Sequence, residues 1–363
     1  MKKRFAAVCF AVLPISSAIA QSSVTIYGLI DAGVTYVSNE GGHAVAKFDD
    51  GILVPNLFVI QGAEDLGGGT KAIFKLEDQF QLGSGMTMQP GIFGRNAYVG
   101  LDDARFGKLT LGNVYEFMFT SLTEAKNTPG LISGGLYSIA AGPFQNLGIP
   151  QNPTGWFSWA RTNGMPINNA VKYQSPQIAG FSFGALYSFG GVAGSFGSNS
   201  GISFGLNYDR GPFGFGAAYT EQKYPGAADG SPQVAIRNWG VGAHYALGPT
   251  LNSASFVTVR NAQTGAYAYA GQLASNWQIT AALSLGVSYM YMKGNDVLYG
   301  NHANQVDAIL GYSLSKRTMV YAEGAYQRAN AGARAAINGI LNPSGSSSGA
   351  SQAIARVGIR TMF

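Results

Sequence analysis

Apolar and polar side chains alternate in steps of two along most of the chain. From Val24 one parity runs Val24, Ile26, Gly28, Ile30, Ala32, Val34, Tyr36, and the other runs Thr25, Tyr27, Leu29, Asp31, Gly33, Thr35. A period of two puts these sets on opposite faces of a strand. The same pattern returns where Phe181, Phe183, Ala185, Tyr187 and Phe189 alternate with Ser182, Gly184, Leu186 and Ser188, and again from Leu283 to Tyr291. Sixteen such segments are predicted, over 23–38, 51–64, 70–82, 92–102, 106–115, 167–176, 180–190, 201–210, 213–222, 235–247, 249–261, 265–277, 281–293, 304–314, 318–329 and 353–363. Aromatic residues often end the apolar parity. Short connections carry turn chemistry, as in Asp65-Leu66-Gly67-Gly68-Gly69, Arg210-Gly211-Pro212 and Gly248-Pro249, and most of the others are longer and polar. An even number of strands, with short turns at one rim and long loops at the other, predicts an all-β fold: a 16-stranded antiparallel transmembrane β-barrel.

One connection departs from the pattern. Residues 116–166 show no clear alternation and are rich in apolar groups, among them Phe117, Phe119, Leu131, Leu136, Phe144, Trp156, Phe157 and Trp159. A loop of this length is functional or disordered, and its apolar content predicts packing. In a wide barrel the surface on offer is the inner wall, so this third long loop is expected to fold into the lumen.

The N-terminus narrows the cellular setting. Lys2, Lys3 and Arg4 precede a short apolar stretch, Phe5 to Ile15, and Ala18-Ile19-Ala20 supplies a small-x-small cleavage site. Residues 1–20 are therefore expected to be an export signal peptide, leaving 21–363 as the barrel domain. The one cysteine, Cys9, would leave with it, and so would three of the 23 basic residues that stand against 18 acidic ones. The remainder is close to neutral with scattered charges, which implies no nucleic-acid partner. Charged residues make up 11% of the chain, against about 25% in ordinary soluble domains. With 51 glycines, 19 tyrosines and 21 phenylalanines, this suits strands with one face in lipid and one in water. A soluble β-sandwich would also alternate, but it would need more surface charge. No apolar run of about 18 residues follows the leader, so transmembrane helices are not predicted.

Several segments carry a family resemblance. Ser23-Val24-Thr25-Ile26-Tyr27-Gly28-Leu29-Ile30-Asp31-Ala32-Gly33, Glu64 to Ala72, Gly94-Arg95-Asn96-Ala97-Tyr98-Val99-Gly100-Leu101 and Asn168-Asn169-Ala170-Val171-Lys172-Tyr173 resemble the general porins of β-proteobacteria. The resemblance runs from about Ser22 to Phe363. It implies a homotrimer of barrels in the outer membrane of a Gram-negative bacterium, in contact with lipid and lipopolysaccharide. Each barrel would pass small hydrophilic solutes and ions by passive diffusion, with no enzymatic reaction and no cofactor. The C-terminal Phe363 resembles the aromatic terminus read by the barrel-assembly machinery. In such porins acidic groups on the third loop face basic groups on the wall, and the field between them orients solutes. Carried over, the constriction candidates are Arg95, Glu116, Glu124, Lys126, Arg161 and Lys172. The basic wall looks thinned, because Leu57, Gln61, Asn113 and Pro166 stand where the family often has basic residues. Two expectations follow. One is a weak transverse field and a less polar opening lined by loop aromatics, as in a substrate-specific channel with a saturable site for less polar or aromatic solutes. The other is that arginines elsewhere, such as Arg161 or Arg260, refill the space.

Other motifs carry little. Gly180-Phe181-Ser182-Phe183-Gly184 and Gly201-Ile202-Ser203-Phe204-Gly205 match the G-x-S-x-G hydrolase pattern but fall within alternating strands, where the required strained turn is absent. His43, His244 and His302 lack metal-ligand spacing and are read as solvated. Asp31, Lys75, Glu77 and Asp307 are read as polar residues lining a wet lumen. Gly67-Gly68-Gly69 is a turn and not a phosphate cradle.

Overall fold

The computed structural model describes residues 23–128, 133–226 and 233–363. The expected leader, residues 1–20, and Leu131 of the long loop lie outside the described residues.

Among the described residues there are seventeen strands: β1 (Ser23–Glu40), β2 (His43–Asp50), β3 (Leu57–Asp65), β4 (Thr70–Gln79), β5 (Asn96–Asp103), β6 (Gly107–Tyr115), β7 (Pro166–Gln174), β8 (Phe181–Ser188), β9 (Gly201–Arg210), β10 (Phe213–Tyr224), β11 (Val234–Leu247), β12 (Thr250–Asn261), β13 (Tyr267–Gln278), β14 (Leu283–Gly294), β15 (His302–Ser313), β16 (Thr318–Ala329) and β17 (Ser351–Met362). Sequential neighbours pair antiparallel, and β17 closes on β1 with Val34 opposite Val357. One half of β1 pairs with β2 and the other half with β3. These two strands therefore share one position, and the barrel has sixteen staves, as the alternation predicts.

The second stave differs from the expected segment 51–64. Its first half is His43–Asp50, reached by a tight turn in which Gly41 and Gly42 take positive φ of 62° and 110°. Residues 51–56 then leave the sheet and are largely buried. Asp31 holds them: its backbone carbonyl accepts from the Gly51 N–H at 2.9 Å, its carboxylate accepts from the N–H of Ile52 and Leu53 at 2.7 and 2.9 Å, and Asn56 Oδ1 accepts from the Asp31 N–H at 2.8 Å. Asp31 also accepts from the Arg356 guanidinium at 3.3 Å, and both side chains are fully buried. It is thus the clamp of a broken stave, not a wet lumen residue.

The faces divide as the period requires. Val34, Tyr36, Val99, Phe183, Phe204, Trp239, Leu273, Val306 and Val357 are exposed on the outward parity. On the inward parity, Ile167, Leu186, Ile236, Val257, Met290 and Met292 are buried with Phe117, Met118, Leu122, Phe144, Leu147 and Trp159 of the long loop. An empty barrel would leave those inward side chains wet. Their burial means that the apolar core of this protein lies between loop and wall.

Candidate functional site

The loop begins at Glu116 and makes a π-helical turn over Met118–Glu124. A track of inward glycines on β9, β10 and β11 makes room for it. A Cβ added at Gly216 would stand 2.1 Å from the Ser121 carbonyl oxygen, and one added at Gly242 would stand 2.1 Å from that of Asn127. A side chain at either position would collide with backbone, so the turn can approach only because both are glycine. Phe117 fills the space over Gly184 and Gly205, and its N–H donates to Ser203 Oγ at 3.0 Å. Ser203 lies inside β9, away from any strand-to-helix turn.

Farther along, wall and neighbouring loops supply donors to the segment's orphan carbonyls. Asn238 donates to Trp159 O at 2.9 Å, Asn261 to Gly148 O at 2.9 Å and Gln272 to Ser138 O at 2.8 Å. Asn301 donates to Pro143 O at 2.9 Å, Gln305 to Tyr137 O at 2.6 Å, Gln327 to Ala141 O at 3.0 Å and Asn338 to Leu136 O at 2.7 Å. Irregular backbone out of contact with water needs such partners. Here they are uncharged amides. His244 belongs to the same side: its ring Nδ1 is 2.8 Å from Asn127 Oδ1, so it is bonded to the loop and not merely solvated.

Toward β4–β7 the loop does not close against the wall. A cavity of about 210 Å³ remains, lined by Lys75, Tyr98, Lys108, Tyr115, Glu124 and Lys172 among others. Lys172 donates to Tyr115 O at 2.8 Å and Thr120 Oγ1 at 3.2 Å, and its ammonium lies 4.3 Å from the centre of the Phe117 ring. Among the described residues it has no carboxylate ion pair. Lys108 is 3.6 Å from Asp102, and Lys75 is 2.5 Å from Glu77. Glu77 also takes Arg95 Nε at 3.2 Å and the Tyr115 hydroxyl. Glu124 is exposed to water yet ringed by protein. That enclosure pushes its carboxyl above the ordinary carboxylate range, against the opposing pull of Lys172 and Lys75. Glu116 differs: it is fully buried, and burial raises its carboxyl against Arg161 at 3.6 Å and a 2.5 Å hydrogen bond from Thr220.

Of the six candidates, only Glu124 and Lys172 line this gap. Arg95 is buried nearby against Glu77 and reaches the carbonyl of Asn163 at 3.5 Å. Arg161 and Glu116 form a buried pair, with Arg161 held by Gln222 at 2.9 Å and Tyr224 at 3.3 Å on β10. Lys126 is exposed on the loop and makes no salt bridge or side-chain hydrogen bond among the described residues. Arg260 refills nothing, because it lies between inward Val259 and Asn261 and so points outward. Nor do the loop aromatics line this gap: Phe117, Phe119, Phe144 and Trp159 are buried in packing, and Trp156 and Phe157 are half-buried elsewhere on the loop. Lys75, read from the sequence as a lumen-lining residue, does line the gap, and Lys108 is the wall cation that sequence reasoning passed over. Their inward parity, shared with Glu77 and Thr110, was the available signal.

The sequence profile of the family described as Gram-negative porin matches residues 6–332. The chain is 28% identical to outer membrane porin protein 32 of Delftia acidovorans over 385 residues, covering all of both chains. Its fold resembles that of an anion-selective porin from Comamonas acidovorans, with a TM-score of 0.76 at 23% identity over 94% of this chain and 100% of that one. It also resembles OmpT of Vibrio cholerae in its trimer form, with a TM-score of 0.65 at 14% identity, covering 94% and 99%. A closed antiparallel barrel with a lipid-compatible outer face, and a family profile that spans most of the sequence, lead to one conclusion: the chain belongs to the Gram-negative porin family and is an outer-membrane channel.

Proposed function

We propose that the gap between the 116–166 segment and β4–β7 is the constriction of a passive diffusion pore for small hydrophilic solutes and ions, with a modest preference for anions. One observation carries this reading: Glu124, exposed to water but enclosed by protein, faces a wall that bears Lys75, Lys108 and Lys172. Charges of opposite sign across a narrow gap set up a transverse field, and an excess of cations lowers the barrier for anions. The excess is one charge: Lys75, Lys108, Lys172 and Arg95, which shares Glu77 with Lys75, stand against Glu77, Asp102 and Glu124. The comparison porin from Comamonas acidovorans is described as anion-selective, which supports the same sign.

The alternative, a saturable site for aromatic solutes, is less favoured because Phe117, Phe119, Phe144 and Trp159 are occupied in packing, and half-buried Trp156 and Phe157 do not line the gap. Homotrimeric assembly is part of the proposal, supported by the trimer form of the OmpT neighbour. So are removal of residues 1–20, contact with outer-membrane lipid, and recognition of the C-terminal strand by assembly machinery. Phe363 bonds Gly28 through both its backbone groups at 3.2 and 3.1 Å, so the terminal residue sits at the closing seam.

The decisive experiment is a planar-bilayer reversal potential under a salt gradient. The native channel should favour chloride over potassium. Replacing Lys75, Lys108 and Lys172 together with glutamine should shift the permeability ratio roughly tenfold and reverse its sign. An unchanged ratio would remove the constriction from this gap.

A further inference from the structure

We infer that the loop end of the barrel carries a capture site for a sugar acid, built by Arg334 and the hydroxyls of Ser344, Ser346 and Thr154. The site is separate from the constriction and depends only on the chain being an outer-membrane channel. A cavity of about 420 Å³ opens there between three connections. The β1–β2 turn contributes Gly41, the 116–166 segment contributes Gln145 and Thr154, and the β16–β17 connection contributes Arg334, Ser344 and Ser346. Its volume suits one small molecule. Arg334 is exposed, and among the described residues its guanidinium has neither an ion pair nor a hydrogen bond. No carboxylate among the described residues lines the cavity. Glu40, at the foot of the Gly41 turn, is held by Lys47 at 3.4 Å and by Asn342 at 2.9 Å. The charge of this cavity is therefore one free guanidinium.

The serines of the β16–β17 connection do two different things. A stretch such as Ser344-Gly345-Ser346-Ser347-Ser348 is flexible on its own, yet here it is tied down. Ser347 Oγ donates to Ser351 O at 2.7 Å, Ser348 Oγ accepts from the Asn39 amide at 3.1 Å, and the Gly41 N–H donates to Ser346 O at 3.0 Å. The Gln352 amide donates to Gly345 O at 2.9 Å. By contrast, the hydroxyls of Ser344, Ser346 and Thr154 make no hydrogen bond among the described residues, and neither does the amide nitrogen of exposed Gln145. Donors and acceptors held in place on a cavity wall, with no partner in the fold, match a ligand that carries several hydroxyls. The guanidinium adds paired hydrogen bonds to an anion. One cation balances a carboxylate, whereas a phosphate monoester carries about −1.5 to −2 and would be only partly neutralised. A sugar acid combines the hydroxyls with the single charge. Because the longer loops of such barrels are extracellular, this cavity meets an incoming solute before the gap does and raises its concentration at the pore mouth.

Saturation-transfer NMR of the purified channel with gluconate tests the assignment. Gluconate should bind saturably. Glucose has the hydroxyls without the charge, and acetate has the charge without the hydroxyls, so each should bind at least about tenfold more weakly. R334Q should weaken gluconate by about tenfold, and S344A/S346A by about threefold or more. These side chains have no partner in the fold, so both variants should assemble as conducting barrels. Absence of saturable gluconate binding, or equal binding to R334Q, would overturn the site. Glucose binding as tightly as gluconate would overturn the role of the charge, and acetate doing so would overturn that of the hydroxyls. Glucose 6-phosphate binding more tightly than gluconate would overturn the carboxylate as the preferred anion. The K75Q/K108Q/K172Q channel should bind gluconate as the native one does. Loss of binding there with retention in R334Q would place the ligand in the constriction and overturn this site. A constriction reading that fails by reversal potential would leave the gluconate result standing.

Discussion

The two sides of the lumen treat the same inserted segment in opposite ways. From β11 to β16 and the loops beyond, the wall offers Asn238, Asn261, Gln272, Gln305 and Gln327, each giving its amide to a loop carbonyl. From β4 to β7 it offers Lys75, Lys108 and Lys172 around a gap that holds water-sized space. The difference follows from desolvation. An amide satisfies a buried carbonyl without bringing a charge out of water, whereas an uncompensated buried cation is costly. Amides therefore close one side, and the lysines that line the gap are gathered on the other. Guanidinium groups that are buried are held by partners: Arg161 by Glu116 and Gln222, and Arg356 by Asp31, Thr35 and Tyr321.

The largest expected effect comes from breaking the packed side at its glycines. Gly216→Val would drive a side chain into the Ser121 carbonyl, an overlap that costs about 1–3 kcal/mol or displaces the turn. The barrel should still assemble, and single-channel conductance should rise as the loop lifts; unchanged conductance would mean that the turn does not limit the pore. Next comes the triple lysine replacement on the open side, which should reverse selectivity with little change in thermal stability. Gln327→Leu should do the reverse. Fully buried Gln327 donates to Ala141 O and Ala336 O, and its Oε1 accepts from the Ala336 N–H. Its loss leaves buried groups unpaired at about 1–3 kcal/mol each. Thermal melting should fall and channel noise rise, while the permeability ratio holds.

The smallest effect is in pH. The Glu124 carboxyl is raised by its enclosure, so it takes up a proton at a higher pH than a free carboxyl would. As pH falls through the range just above the ordinary carboxylate value, the gap loses its negative charge and the preference for anions should increase. Glu124→Gln should show that increased preference at neutral pH and lose this part of the pH response. A wild-type response that survives in the variant would assign the titration to another group.

Much of the architecture was legible because a sheet with lipid on one side and water on the other writes its period into the chain. The missed strand, His43–Asp50, has small or polar residues on both parities, so its alternation carries little contrast. The segment 51–64 read as one strand because Ile52, Leu53 and Val54 are apolar; nothing local announces that Asp31, 21 and 22 residues earlier, captures the N–H groups of Ile52 and Leu53. At the site, Arg95 and Glu116 were found by position, yet both prove to be held in ion pairs, with Glu77 and Arg161. Lys108 was passed over although its parity was plain, because parity tells which face a residue occupies and not how high it stands.

What the sequence determined is the closed barrel, the two faces of its wall and the presence of one long connection that must pack, all consequences of side-chain period and turn chemistry acting locally. What only the tertiary structure decided is which inward residues meet that connection and which meet water. That choice depends on strand stagger around the barrel and on the path of a segment with no period of its own, so glycines, amides and lysines on identical inward parities became, respectively, room, anchors and the wall of the pore.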